Sequence, residues 1–200
     1  PKQNIALARQ FSEKAHSIMG DGNSLTLLAL LDAMTGNCKG AIEKAERAVE
    51  IDPSAGDATA LAGGTLLQCG RPKKAAALFR LAIRLQPYHP KWMPNGLGKS
   101  LMAHGKYDEA EEVLSAIIKS DTKNVHERIK ALTRLTVTSV FKEDFENAKD
   151  YLKRLKKLAP NFSIETAKAN DLSRGKMADQ EFVRRYVDAL QQLGVPEKSE

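Results

Sequence analysis

The feature that most constrains the fold is a set of small and apolar residues that recurs along the chain every 34 to 38 residues. The first position of the set is an alanine in every copy, and the position seven residues later is alanine or a larger aliphatic residue. Two positions seven residues apart lie on the same side of a helix. Self-similarity at such a period indicates a stack of equal helical repeats rather than one irregular core. The recurring residues are Ala41, Ala75, Ala110 and Ala148, followed by Ala48, Ala82, Ile117 and Leu155.

Each repeat is predicted to be a pair of short helices joined by a tight turn. Glycine marks the turn at Gly36, Gly70 and Gly105, and Glu143 replaces it in the last repeat. The repeats end at Pro53, Pro87, Thr122 and Pro160. These positions predict repeats over 21–53, 54–87, 88–122 and 123–160. Residues 1–20 are predicted to be the second helix of a truncated repeat, and 161–200 a linker with Gly175 followed by a capping helix from about Asp179.

The second repeat resembles the tetratricopeptide repeat, whose 34-residue pattern includes a glycine in the first helix, an A-x3-F element in the second and a closing proline. The matching residues are Gly63, Gly70, Ala75, Phe79, Ala82 and Pro87, whereas Thr59 and Leu66 replace the aromatic residues of that pattern. The resemblance implies an all-α, right-handed α-solenoid of antiparallel helix pairs. It further implies a single domain over 1–200.

Composition favours a helical protein outside the membrane. The longest apolar run, 25–34, contains Thr26 and Asp32 and is too short to span a bilayer. Cys38 and Cys69 lie in different repeats without a CxxC spacing, which predicts reduced thiols and a cytoplasmic location. The net charge is +6, but the densest basic run, 149–157, is mixed with acidic residues, so no nucleic acid partner is expected.

No catalytic, cofactor or metal site is predicted. Gly98-Lys99-Ser100 resembles the end of a phosphate-binding loop, but Met93 replaces the earlier glycine that such a loop needs, and a helix start precedes it. The four histidines fall in different repeats without a second ligand at helical spacing. The chain is therefore expected not to be an enzyme.

Stacked helix pairs leave a concave face lined by the first helix of each repeat, where a peptide or partner helix can bind. Leu27 is expected on the core side of its helix. Trp92 is either an exposed anchor or a residue packed under the Tyr88–Pro90 insertion. The helical register predicts that the binding groove is lined by Thr26, Leu30, Gln68, Trp92, Asn95, Lys99, Met102 and Thr133.

A narrower resemblance is carried by two stretches, 87–114, with its Pro-Trp entry into the third repeat, and 159–197 at the C-terminal end. Pro160, Phe162 and Ser163, together with Leu193-Gly194-Val195-Pro196-Glu197, resemble the repeat region that follows class III adenylate or guanylate cyclase domains and some bacterial winged-helix regulators. This implies a cytoplasmic regulatory or docking arm of a signalling protein, whose partner is a protein, a peptide or the parent's own catalytic domain. The alternative is a free-standing scaffold. The apolar helix 1–20 lacks a polar cap, which indicates either preceding sequence or a homodimer.

Overall fold

The structure, a computed structural model, describes residues 2–120, 123–172 and 177–198, and Thr122 and Gly175 therefore lie outside it. The described ranges contain eleven α-helices and no strand. The chain divides between His89 and Pro90 into two compact units. The first unit holds α1 (Lys2–Met19), α2 (Gly22–Met34), α3 (Cys38–Ile51), α4 (Gly56–Gln68) and α5 (Pro72–Leu85). The second holds α6 (Trp92–Ala103), α7 (Tyr107–Lys119), α8 (Val125–Phe141), α9 (Phe145–Leu158), α10 (Ile164–Asp171) and α11 (Gln180–Gln192).

The predicted all-α helix-pair architecture is confirmed. Two helices fall within each predicted repeat, and they pack against each other as α2 on α3, α4 on α5, α6 on α7 and α8 on α9. Within the first unit α4 also packs on α2, and within the second unit α8 packs on α6 and α7. The β-branched segment 135–140 is helical because the repeat register, and not local propensity, decides its conformation.

The recurring small residues form the contact between the two helices of each repeat. Ala41, Ala75, Ala110 and Ala148 have no exposed surface at all. Two glycines on the facing first helices allow this close approach: a Cβ on Gly98 would lie 2.6 Å from the Leu114 side chain, and one on Gly63 would lie 3.2 Å from the Phe79 ring. The helices of a pair are therefore packed too closely for larger residues at these positions.

The turns between paired helices need a left-handed backbone residue. Gly36, Gly70 and Gly105 have φ values of 88°, 71° and 75°, which glycine adopts without steric cost. Glu143 occupies the same place in the fourth repeat with a φ of 61°. The next residue, Asp144, caps α9 by accepting a hydrogen bond from the Asn147 backbone N–H at 3.1 Å. The turn geometry is thus kept without glycine.

The two cysteines are paired, so the prediction of reduced thiols is wrong. Cys38 is the first residue of α3 and Cys69 follows the last residue of α4, and a disulfide joins them with a Cα–Cα distance of 5.3 Å. They lie 31 residues apart in sequence, close to one repeat length. Stacking of neighbouring repeats therefore brings together two residues that look unrelated in sequence.

Replacing both cysteines by serine is expected to lower the free energy of unfolding of the first unit by about 3 kcal/mol, because the bond closes a loop of 31 residues and so restricts the unfolded chain. Urea unfolding of the wild type and the double variant, each with and without reductant, measures this. The variant should not respond to reductant. Coincident curves for all four samples would contradict the assignment.

Candidate functional site

Four first helices present equivalent positions, which we call the first-helix stripe. The helices are aligned at their last residues, and the stripe positions recur at intervals of three and four residues, so on each helix they lie on one face. The stripe comprises Asn23, Leu27, Leu30 and Met34 on α2; Asp57, Leu61, Gly64 and Gln68 on α4; Trp92, Gly96, Lys99 and Ala103 on α6; and Lys130, Arg134, Val137 and Phe141 on α8.

In the first unit the centre of the stripe is apolar and partly open to water. Leu27 and Met34 are 45% and 46% exposed, and Leu30 and Leu61 are partly exposed. The charged residue of this stripe, Asp57, lies at the first turn of α4, so the centre carries no charge. A contiguous exposed apolar surface of this kind marks an interaction site more often than isolated apolar residues do.

Polar bonds hold the two helices of this open face in place. The Gln68 side-chain amide donates a hydrogen bond of 3.1 Å to the backbone carbonyl of Ala33, which joins α4 to α2. The Asp32 carboxylate accepts bonds from Arg9 of α1 at 2.7 Å and from Lys44 of α3 at 2.8 Å. Burial of Asp32 alone would raise its pKa, but these two cations outweigh it and lower the pKa. Asp32 thereby ties three helices together.

In the second unit the stripe of α8 is covered by the chain's own C-terminal helices, since α10 and α11 both pack against α8. The Arg134 guanidinium donates to the Asp171 carboxylate through Nε at 2.9 Å and also through its second terminal nitrogen. The Tyr186 hydroxyl donates to the same carboxylate at 2.6 Å. Lys99 donates to the backbone carbonyl of Asp171. One acidic residue of α10 therefore binds groups from α6, α8 and α11.

This buried cluster shifts the pKa values of its members in opposite directions. Burial alone would raise the pKa of Asp171, whose side chain is 2% exposed, but the charges of Arg134 and Lys99 hold it well below its ordinary value. Burial, only partly offset by Asp171, lowers the pKa of Lys99 to about 8. Burial and the Asp171 charge together raise the pKa of Tyr186, which therefore stays a hydrogen-bond donor.

A second layer of bonds fixes Arg134 from the other side. Its guanidinium donates to the Asn95 backbone carbonyl at 2.6 Å and to the Asn95 side-chain oxygen at 3.0 Å. The Asn95 side-chain nitrogen in turn donates to a Glu127 carboxylate oxygen at 2.7 Å, and Lys130 donates to the other Glu127 oxygen at 3.1 Å. Each buried charge is thus paired, as burial requires.

The structure corrects the predicted register of the groove by one residue. Thr26, Asn95, Met102 and Thr133 are buried at 3% exposure or less. Each precedes a stripe position by one residue, which turns its side chain by about 100° around the helix and into the packed interior. Leu27, assigned to the core side, is for the same reason on the stripe. The residues that do lie on the stripe are Leu30, Gln68, Trp92 and Lys99.

The C-terminal residues that resembled cyclase-linked regions have a structural role here. The backbone N–H groups of Ile164 and Glu165 donate to the carbonyls of Pro196 and Glu197 at 2.9 and 3.0 Å. Ser163 caps α10. The two ends of the motif therefore lie side by side, and the tail closes over the start of α10.

Sequence reasoning missed the acidic residue that covers the α8 stripe. The helix that carries Asp171, α10, has eight residues and a weak apolar pattern, and it was assigned to the linker. A usable signal is present, because Ser163 and Thr166 form a capping box at its start. The partner of Asp171, Arg134, is the one charged residue of the stretch 131–141 of α8. Such an isolated charge needs a counter-charge when buried.

Together the helix pairs define an all-α helical-repeat fold. Residues 26–90 match the family model described as tetratricopeptide repeat. Several solved structures share the fold. PilW, a type IV pilus biogenesis factor, has a TM-score of 0.71 and 17% identity over 96% of this chain and 86% of its own. Pseudomonas aeruginosa PilF has a TM-score of 0.59 and 25% identity over 92% of this chain and 77% of its own. The Thermus thermophilus protein TTC0263 has a TM-score of 0.62 and 18% identity over 94% of this chain and 91% of its own.

A comparison with curated proteins finds no significant match. None of the structures named above is a cyclase or a winged-helix regulator. In the part of the chain that the structure describes, no group of three or more His, Cys, Asp or Glu residues is placed to hold a metal ion. Across the same residues, no helix is both long and apolar enough to cross a membrane.

The buried cluster makes the stability of the second unit depend on pH. Asp171→Asn is expected to lower the free energy of unfolding by about 3 kcal/mol at pH 7, since it leaves buried cations unpaired. Because the pKa of Asp171 is lower in the folded than in the unfolded protein, its contribution is present above about pH 4 and is lost as the pH falls further. The variant should therefore lose less stability than the wild type on acidification.

Urea unfolding followed by the fluorescence of Trp92, the single tryptophan, measures this in the second unit. Asp150→Asn, at a side chain that is 61% exposed, is the control and should behave as the wild type.

The same titration above neutrality tests Lys99. The unfolded chain binds its proton more tightly between pH 8 and 10.5, so stability should rise there and Lys99→Met should abolish the rise. Parallel pH profiles for all proteins would contradict the assignment.

Proposed function

We propose that the protein is a non-catalytic interaction module that binds a partner protein on the first-helix stripe of α2 and α4. The observation that carries the proposal is the exposure of Leu27 and Met34, at 45% and 46%, on a face that the repeat directs away from its own core. The neighbouring Leu30 and Leu61 extend the same surface. Exposed apolar side chains on one helix face favour association with a partner, because burying them removes apolar area from water.

The corresponding positions in the second unit support this choice. There Lys99 and Arg134 are engaged by Asp171, so the α8 stripe already has an occupant within the chain. The α2 and α4 stripe has the same position in its repeats, and its residues Leu27 and Met34 remain exposed. A partner would therefore supply in the first unit what α10 and α11 supply in the second.

Leu27→Glu combined with Met34→Glu is expected to abolish partner capture without unfolding the protein, since both side chains are exposed. Affinity capture from the native cell, quantified by mass spectrometry, compares this variant with the wild type. Val125→Glu is the matched control, because Val125 is 47% exposed but lies in the second unit at the start of α8. Loss of the same proteins with both variants, or with neither, would count against the proposal.

A second surface supports self-association. The helix α1 exposes Leu7, Phe11, Ile18 and Met19 at 51%, 64%, 73% and 60%. One repeat further on, Ala41 and Ala48 of α3 correspond to Ala8 and Ala15 of α1 and have no exposed surface, because α3 packs against α2. We propose that a second copy covers the α1 face and gives a homodimer.

Sedimentation velocity over a range of concentrations tests the dimer. The wild type should shift from monomer to dimer as concentration rises, whereas Phe11→Glu combined with Ile18→Glu should stay monomeric, because charged side chains cannot be buried in the contact without a partner. Circular dichroism should show an unchanged helix content. A wild type that remains monomeric at the highest concentration would overturn this second proposal.

Two finer assignments from the sequence concern the parent protein and the compartment. The role as docking arm of a nucleotide cyclase is motivated by the resemblance of 87–114 and 159–197, and in the fold the tail pairs with the start of α10 through the bond from Ile164 to Pro196. Deleting this region from a longer parent, and finding its cyclase activity unchanged, would exclude the role.

The cytoplasmic location rested on free thiols, and the disulfide favours an oxidising compartment instead. Alkylation of the thiols in intact cells distinguishes the two locations.

A further inference from the structure

A cleft in the second unit, which we call the α11 cleft, opens between α11 and the turn that joins α8 to α9. Its volume of about 470 Å³ lies in the range of small-ligand sites. The cleft has walls from three elements, because α11 packs against α8 while the turn and the start of α9 border one side. Its lining includes Phe141, Glu143, Phe145, Arg185, Asp188 and Ala189.

One cation of the chain already occupies part of this cleft. The Arg185 guanidinium lies over the Phe141 ring, with Cζ 4.6 Å from the ring centroid, and donates a hydrogen bond of 2.7 Å to the Tyr107 hydroxyl. The Tyr107 ring packs on Phe141 with 5.4 Å between the ring centroids. A cation at such a distance is attracted by the electrons of the ring face. The chain itself therefore shows that a planar cation fits against an aromatic ring of the cleft.

The second phenylalanine of the cleft has no such occupant. Phe145 is the first residue of α9, and 44% of it is exposed to water. Among the described residues no cation and no other aromatic ring lies against it. Covering this ring with the apolar part of a ligand would remove apolar area from water. The ring face is also free to attract a second cation.

The charge of the cleft is negative overall. Glu143 on the turn and Asp188 on α11 contribute two carboxylates, against the single cation of Arg185. Within the part of the chain that the structure describes, neither carboxylate makes an ion pair or a side-chain hydrogen bond. The adjacent Lys142 is bound by two acidic residues of α7 instead. Two unpaired carboxylates on different walls of one cleft are complementary to a cation from outside the chain.

The turn itself does not require a glutamate. Glu143 has a φ of 61°, and the equivalent residues of the other repeats, Gly36, Gly70 and Gly105, have φ values of 88°, 71° and 75°. The cap of α9 comes from the next residue, Asp144. Glycine at position 143 would therefore make the same turn without steric cost. The carboxylate of Glu143 can thus be removed without loss of the fold.

We propose that the α11 cleft binds an organic cation, namely an ammonium or guanidinium group on an apolar stem. The charged group pairs with the carboxylates of Glu143 and Asp188, and the stem lies against the Phe145 ring. This chemistry occurs in free amines and in the basic side chains of peptides, and experiment separates the two sources. The cleft shares no residue with the α2 and α4 stripe, so this inference is independent of the proposed function.

The test measures dissociation constants for the full chain by NMR titration with two pairs of ligands. The first pair is phenethylamine and phenylethanol, which have the same stem with and without a charge. The second pair is a capped glycine peptide with one central arginine and the same peptide with citrulline. In at least one pair the charged member should bind about fivefold or more tightly, and added salt should reduce the difference. Equal affinities within both pairs would overturn the proposal.

The comparison between the two pairs identifies the source of the cation. Tighter binding of the arginine peptide than of phenethylamine supports a basic side chain of a polypeptide as the ligand. The reverse order supports a free amine. Either order agrees with the proposed chemistry, provided that the uncharged member of the same pair binds less tightly.

Protein variants then locate the bound cation. Glu143→Gly and Asp188→Asn are each expected to weaken the charged ligand about threefold, with no loss of thermal midpoint, and to leave its uncharged analogue unchanged. Phe145→Ala should weaken both members of a pair, because it removes the surface for the stem. Glu146→Gln, at an exposed position of α9 outside the cleft lining, is the matched control and should bind as the wild type. Unchanged affinity in both carboxylate variants would overturn the inference.

Discussion

The close contact between the two helices of each repeat, made through alanine, determines the rest of the structure. Ala41, Ala75, Ala110 and Ala148 are wholly buried, and each occupies the same place in its pair. Because the pairs are equal, a given position on every first helix faces the same way relative to its second helix. This equality creates a stripe of side chains that takes no part in the contact and is free to differ from repeat to repeat.

The stripe has two different chemistries within one chain. On α2 and α4 its centre consists of leucine, methionine and glycine, and Leu27 and Met34 are exposed to water. On α6 and α8 it includes Lys99 and Arg134, whose charges are neutralised by Asp171 from the chain's own α10. A buried cation without that carboxylate would be costly, so the charged stripe and its covering helix depend on each other. The apolar stripe has no such internal requirement, and it is the surface on which we propose that a separate molecule binds.

The period of the small residues was enough to predict the all-α fold and the helix pairs. The groove was harder to predict, because an error of one residue turns a side chain by about 100° and exchanges Thr26 for Leu27. The packing between repeats could not be predicted either, because the contact of Cys38 with Cys69 depends on how the first repeat stacks on the second. The short helix α10 lacked a strong apolar pattern, so its Asp171 could not be assigned a partner from sequence.

The central claim is that the first-helix stripe is open in the first unit and covered in the second. Oxidative labelling of methionine with peptide-level mass spectrometry tests the open part of this claim most directly, because methionine oxidises according to its exposure. Met34 lies on the open stripe and is 46% exposed, whereas Met102 is turned into the packed interior, is 1% exposed and serves as the buried reference. The account predicts rapid oxidation of Met34 and protection of Met102 in the native protein, with equal rates after unfolding. Similar rates for the two residues in the native protein would contradict it.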